Sequence, residues 1–153
     1  MRSIRSKHYI GIALALELIF GVARADVNLP VVVTGDAVNA PLTQQVGRAA
    51  QGRVIVLSRQ IGNCLICHAV PNEAKELAQG NVGPALSGVG GRLSEGQIRL
   101  RLIDQSRLNP RTIMPPYYRT NGLTNVAAQF VGKSVLDAQQ IEDVVAYLVS
   151  LKE

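Results

Sequence analysis

Apolar residues recur at helical spacing in three stretches of this chain. The first stretch covers residues 48–60, and Gly62-Asn63 ends it because these residues favour turns over helices. Its apolar positions alternate with Arg and Gln, and they are Val54, Ile55, Leu57 and Ile61. The pattern predicts a helix that leads directly into the segment after Gly62.

Two further helices begin with complete capping boxes. Residues 94–97 read Ser-Glu-Gly-Gln, and residues 137–140 read Asp-Ala-Gln-Gln, each flanked by apolar residues that can form a hydrophobic staple. The first of these helices is expected to reach about Gln105 and the second about Lys152. One face of the second must be buried against another helix, since it carries Ile141, Val144, Val145 and Leu148.

The segments outside these helices lack any sustained periodicity of apolar residues. Residues 26–45 are rich in Val, Asn, Pro and Gly, and they predict an extended arm that wraps the domain or reaches a partner, with 29–34 able to pair briefly as a strand. Residues 80–91 form a glycine-dense loop, either a flexible linker or, as Val82, Leu86 and Val89 favour, a loop packed on an apolar surface. Three prolines within residues 110–116 predict a stiff loop.

The first 25 residues have the pattern of a signal peptide. Residues 1–8 are basic, residues 9–20 are almost wholly apolar apart from Glu17, and Ala23-Arg24-Ala25 is a small-x-small cleavage site. The apolar run is shorter than the roughly 20 residues that span a bilayer. We therefore expect export to the periplasm with no membrane anchor after cleavage, an arm at 26–47 and one domain at 48–153.

Cleavage changes the charge of the chain. The leader holds four Lys or Arg and one Glu, so the formal charge falls from +5 to +2. No clustered basic run with interleaved aromatic residues remains, which argues against nucleic-acid binding. The remaining chain has no Trp and few aromatic residues, which is consistent with a large cofactor in the core but equally with an aliphatic core.

The candidate chemistry lies in Cys64-Leu65-Ile66-Cys67-His68, which carries both cysteines of the chain. Cys-x-x-Cys-His is the attachment signature of c-type haem, in which two thiols bind the porphyrin and the histidine binds the iron. A zinc site would normally need a second Cys or His pair, and a thioredoxin-like pair belongs in a strand-helix context. A structural disulfide is the remaining alternative, and it predicts a colourless protein.

Met114 is the candidate for the second axial ligand. It is the only methionine after cleavage and lies in the proline-rich loop, where its thioether could be held at a fixed distance. A methionine considered alone is more often a core residue. With the haem motif upstream, we expect axial ligation by His68 and Met114, which leaves no open position for a substrate.

The order of motifs resembles class I cytochrome c. Cys-x-x-Cys-His is followed by Gly-Pro-x-Leu, Gly-Gly-Arg, Met-Pro and an amphipathic terminal helix. The resemblance implies an all-α class I cytochrome c fold, with helices packed around one covalently bound haem c. It also implies that the Pro84 carbonyl accepts a hydrogen bond from His68 and that Arg92 lies near a haem propionate.

Downstream segments resemble the SoxX family more specifically. They are Asn109–Arg119, Val126–Lys133 and Ala138–Leu148, and with the haem motif the resemblance covers about residues 48–153. SoxX is the small monohaem subunit of the SoxAX cytochrome of bacterial sulfur oxidation, an L-cysteine S-thiosulfotransferase.

The resemblance implies a heterodimer with SoxA that joins thiosulfate oxidatively to a cysteine of the SoxYZ carrier and passes two electrons to an acceptor cytochrome c. The sulfur chemistry would belong to the SoxA haem and its cysteine ligand, because this chain has no third cysteine. We expect the arm and Tyr117-Tyr118-Arg119 to contact SoxA, although the tyrosines could equally pack over the haem edge. The alternative function is a free-standing periplasmic electron carrier.

Overall fold

The structure, a computed structural model, describes residues 31–73, 75–76 and 78–153. It contains the helices α1 (Ala49–Leu57), α2 (Val89–Arg92), α3 (Glu95–Asp104) and α4 (Ala138–Ser150), and 3-10 turns at Cys64–Ile66, Gln105–Arg107 and Ala128–Phe130. Within these residues the only β pairing is an isolated bridge between Thr34 and Ala37. The predicted all-α fold is confirmed.

Helix α4 is the element on which the other helices pack. Both α1 and α3 contact it, and α2 lies near its C-terminal end. The face predicted to be buried is buried, and it comprises Ile141, Val144, Val145 and Leu148. Burying this aliphatic stripe supplies the main hydrophobic contribution to the helical core.

Helix α1 lies directly against the backbone of α4 at Gly52. A Cβ atom at this position would stand 1.9 Å from the carbonyl oxygen of Asp143. Only a residue without a side chain permits this approach. The glycine inside the first apolar stretch therefore reflects close helix packing.

Both capping boxes form as predicted. The Ser94 hydroxyl accepts a hydrogen bond from the Gln97 amide, and the Asp137 carboxylate accepts one of 2.7 Å from the Gln140 amide. In each case the glutamine side chain accepts a bond from the backbone amide of the capping residue. These bonds fix where α3 and α4 begin because they satisfy amides that have no partner within the helix.

Helix α1 ends earlier than its apolar pattern predicts. Beyond Leu57 the chain turns at Ser58, whose carbonyl accepts a 2.8 Å hydrogen bond from the Asn63 amide. Ile61 consequently falls on the exposed surface instead of continuing the helical face. The glycine-dense loop also differs from its prediction, since Val89–Arg92 forms a short helix, while Leu86 packs against the core and Val82 is exposed.

The described part of the arm, residues 31–47, folds against α3 and α4. The amide of Val38 donates to the carbonyl of Gly96 at 2.9 Å, and the amide of Leu42 donates to Glu142 Oε1 at 2.9 Å. Residues 31–34 form no strand beyond the Thr34 bridge, and residues 29–30 lie outside the described part. Of the two possibilities for the arm, the structure supports wrapping of the domain.

A buried ion pair joins the arm to both helices. Arg99 of α3 makes two hydrogen bonds to the carboxylate of Glu142 on α4, at 2.7 and 2.8 Å, and its third nitrogen donates to the carbonyl of Val38 at 2.8 Å. Both side chains are almost wholly buried. Every charged atom thus has a partner, as burial of an ion pair requires.

The predicted signal peptide, residues 1–25, lies outside the described residues. The boundaries proposed for the leader, the arm and the domain stay predictions. Among the residues that the structure describes, no helix is long and apolar enough to cross a membrane.

Candidate haem-attachment site

The Cys-x-x-Cys-His motif forms a single turn. The amides of Cys67 and His68 both donate to the carbonyl of Cys64, at 3.1 and 2.9 Å, and Asn63 enters the turn with a left-handed φ of 50°. The turn therefore gathers the two cysteines and the histidine within one tight segment. Neither cysteine forms a disulfide.

The loop after the motif is attached to it by backbone hydrogen bonds. The amide of Gly80 donates to the carbonyl of Leu65 at 2.7 Å, and the amide of Gly83 donates to the carbonyl of Cys67 at 2.8 Å. The amide of Leu86 continues this pattern with the carbonyl of Ala69 at 2.9 Å. The glycine-dense segment is thus a wall of the site.

This wall orients the histidine. His68 Nδ1 lies 2.7 Å from the carbonyl oxygen of Pro84, and the ring lies so close to Gly83 that a Cβ there would stand 2.4 Å from Cε1. When Nδ1 carries the proton that this carbonyl accepts, Nε2 is left unprotonated and can bind a metal. The structure therefore contains the His68–Pro84 hydrogen bond that the resemblance implies.

Arg92 braces the same loop. Its guanidinium donates to the carbonyl of Ser87 and, at 3.4 Å, to that of Ala85. The side chain is otherwise exposed. These contacts support a role in shaping the loop, and a contact with a propionate stays a prediction.

Met114 lies in an irregular loop, as the prolines predict. Its amide donates to the hydroxyl of Thr112 at 3.1 Å, and its half-buried side chain packs against the hydrophobic core. The amide of Thr112 in turn donates to the carbonyl of Asn109 at 3.0 Å, which closes a tight turn just before the methionine. Ligation of a metal by the thioether stays a prediction.

Tyr117, one of the two tyrosines that the sequence places either at a partner or at the haem edge, lies beside the attachment motif. It is 8% exposed, and its hydroxyl donates a 2.8 Å hydrogen bond to the carbonyl of Gly62, directly before the motif. Burial raises the pKa of the Tyr117 hydroxyl far above its ordinary value. Contact of the Tyr117-Tyr118-Arg119 segment with a partner and packing of the tyrosines over the haem edge both stay predictions.

The two thiols have different surroundings. Burial raises the pKa of the Cys64 thiol to about 11, and the neighbouring Tyr117 hydroxyl offsets part of that effect. Cys64 is therefore a neutral thiol at neutral pH, packed at the edge of the core. Cys67, which has no place in the core cluster, lies beside the Gly83 wall.

The residues fit a covalently bound haem. Two free thiols and an imidazole whose second nitrogen is available share one turn, which is the donor set that a c-type haem requires. In the described part of the chain, no three His, Cys, Asp or Glu side chains converge to hold a metal ion by themselves.

The chain has a likeness among solved structures. No protein-family model matches the chain, and no curated protein matches it. Among solved structures, the chain is similar to the crystal structure of SoxXA from P. pantotrophus, with a TM-score of 0.74 and 36% sequence identity. The likeness covers 80% of this chain and 95% of that one.

Proposed function

Because this chain belongs to the SoxXA family, we propose that it is the SoxX subunit, a c-type cytochrome that transfers electrons in the oxidation of thiosulfate. The observation that carries the proposal is the turn in which Cys64, Cys67 and His68 stand together, with the His68 ring held by the Pro84 carbonyl at 2.7 Å. A haem c bound there supplies one reversible one-electron couple.

The protein's own residues fix the position and basicity of the axial ligand. Cys64 and Cys67 would hold the macrocycle through two thioether bonds. The carbonyl of Pro84 accepts a hydrogen bond from His68 Nδ1, which orients the ring and would make Nε2 a better electron donor. Gly83 leaves room for the His68 ring, since a Cβ there would stand 2.4 Å from Cε1.

Met114 is proposed as the sixth ligand. A thioether opposite an imidazole raises the reduction potential of a haem iron. Two protein ligands also leave no coordination position for thiosulfate, oxygen or peroxide. The chain therefore transfers electrons and does not bind a substrate at its iron.

The sulfur chemistry is assigned to a partner subunit. This chain has two cysteines, and both are committed to attachment, so none remains to carry sulfur. The proposed partner is SoxA, which would conjugate thiosulfate to the SoxYZ carrier in the periplasm while this chain relays electrons to an acceptor cytochrome c. The likeness to SoxXA supports such a partner.

A co-purification tests the assembly. A tag is fused after Glu153 through a flexible spacer, because the carbonyl of Glu153 accepts a hydrogen bond from Gly88. The chain is then isolated from its native host grown on thiosulfate. We expect a larger haem-stained subunit to accompany it. A red protein that elutes alone would instead favour the free-standing electron carrier.

A substitution tests the sixth ligand. Met114→Ala should retain the covalent haem but lower its reduction potential, since water or another weak ligand replaces the thioether. Ile113→Ala is the matched control, because Ile113 lies in the same loop and is exposed. Redox titration of both variants gives the answer, and an unchanged potential and spectrum in Met114→Ala would refute ligation by Met114.

A further inference from the structure

The segment that carries Met114 is anchored at Tyr117. The amide of Tyr117 donates to the carbonyl of Leu102 near the end of α3 at 3.0 Å, and its own carbonyl accepts from the amide of Leu136 at 2.9 Å. Both leucines are buried. The backbone of Tyr117 is therefore fixed between α3 and the segment that precedes α4.

The side chain of Tyr117 extends this anchor to the attachment motif. Its hydroxyl lies 2.8 Å from the carbonyl oxygen of Gly62, and the same hydroxyl interacts with the side chain of Cys64. A buried carbonyl that loses such a donor is left without a partner, so breaking the contact is unfavourable in free energy. One residue thus joins the Met114 segment to the turn that carries both cysteines.

The spacer between Met114 and Tyr117 is stiff. It consists of Pro115 and Pro116, whose rings fix φ and leave the backbone few alternative conformations. A displacement of Met114 is therefore transmitted to Tyr117, and the anchor at Tyr117 restrains Met114 in return.

We infer that Tyr117 is a positioning residue for the sixth ligand, and that its hydroxyl holds the Met114 segment at a fixed distance from the haem-attachment turn. This inference rests on the proposed ligation by Met114. Removal of the hydroxyl weakens the hold of the thioether on the iron, while the covalent attachment through Cys64 and Cys67 is untouched.

The test is a competition between Met114 and added imidazole in the oxidised, haem-loaded protein. Tyr117→Phe deletes only the hydroxyl and should bind imidazole up to about tenfold more tightly than the wild type, since one buried hydrogen bond is lost. The near-infrared charge-transfer band of methionine-ligated haem should weaken in parallel. Tyr147→Phe is the matched control, because it removes the same group from a buried tyrosine on α4.

Global destabilisation is separated from positioning by measuring urea midpoints for both variants. Equal imidazole affinity in Tyr117→Phe and the wild type, or an equal increase in both variants, would overturn the inference. If Met114→Ala itself leaves imidazole affinity unchanged, the ligation by Met114 is wrong and the inference falls with it. If Met114→Ala raises the affinity and Tyr117→Phe does not, only the inference is refuted.

If the Tyr117→Phe variant does not fold, a measurement on the wild-type protein still tests the inference. Coupling between two sites is reciprocal, so imidazole that displaces Met114 must loosen the Tyr117 anchor. Hydrogen exchange at the amides of Tyr117 and Leu136 should then accelerate severalfold on saturation with imidazole, while the amides of α4 stay protected. Unchanged exchange at both amides would also overturn the inference.

Discussion

The two sides of this molecule are built in different ways. On the helical side, α1, α3, α4 and the arm bury their apolar faces against one another, and even the charges of Arg99 and Glu142 are enclosed and paired. On the attachment side, turns and loops replace helices, and Ile66, Val82 and Ile113 are 60%, 65% and 78% exposed.

The helical side encloses a core made of its own residues, whereas the attachment side leaves part of its apolar surface exposed. These three residues lie one in each of the segments that form the candidate site: the turn, the Gly83 wall and the Met114 loop. Other apolar residues are exposed on the helical side, among them Val46 of the arm and Val54 of α1. Apolar surface of this kind usually marks a place where a ligand or partner binds. A haem would therefore cover apolar surface that the attachment side leaves open, whereas the helical side already encloses a core of its own.

The largest effect is expected from removing the two thiols. The double substitution Cys64→Ser and Cys67→Ser should abolish covalent haem, because no other cysteine can form a thioether. Haem staining after denaturing electrophoresis measures the loss, and the single variants provide the intermediate cases. A wild-type protein without colour or stain would mean that the attachment side is not a haem site.

The next largest effect concerns the helical side. Glu142→Gln keeps the shape of the side chain but leaves the buried Arg99 charge without a counter-charge, which should cost about 3–5 kcal/mol of unfolding free energy. The measurement is urea denaturation. Glu73→Gln is the control, since it breaks a pair with the exposed Arg53 and should hardly shift the midpoint. Equal shifts of the urea midpoint in Glu142→Gln and Glu73→Gln would show that burial of the Arg99–Glu142 pair does not increase its effect on stability.

A smaller effect is expected at the wall of the site. Gly83→Ala would bring a methyl group against the His68 ring, and overpacking of this kind costs about 1–3 kcal/mol. The ring must also shift, so the visible spectrum of the haem should change. Gly91→Ala is the control because its Cβ would have a 3.4 Å contact with Lys152. An unaltered visible spectrum in Gly83→Ala would show that Gly83 does not control the position of the His68 ring at the haem.

The smallest effect concerns the starts of α4 and α3. Asp137→Ala should destabilise the protein by about 1 kcal/mol, since the Gln140 amide loses its acceptor at 2.7 Å. Ser94→Ala removes the longer 3.3 Å bond to Gln97 and should cost less. Thermal unfolding ranks the two variants. A change of spectrum in either one would show that the two sides are not independent.

The sequence predicted the features that depend on neighbouring residues. The two capping boxes fixed the starts of α3 and α4, and the prolines excluded a helix around Met114, because each signal acts within a few residues. The resemblance to SoxX, which used such local motifs, is confirmed by the likeness to SoxXA.

Features that depend on distant residues were not predictable. Arg99 and Glu142 look like surface charges within their helices, and only the packing of α3 on α4 buries them together. The sequence allowed Tyr117 either at a partner or at the haem edge, and it could not show that its hydroxyl bonds to Gly62, 55 residues away. The early end of α1 has a different, local cause, since the turn closed by Ser58 and Asn63 competes with a pattern that would continue the helix.

The packing of α1 on α4 has a consequence for the order of events during synthesis. The amide of Leu42 finds its acceptor 100 residues later, and α1 has no helix to pack on until residues 138–150 have been made. Cys64, Cys67 and His68 are synthesised well before that point. The chain therefore passes through an interval in which all three residues of the motif are present but the fold that surrounds them cannot yet close.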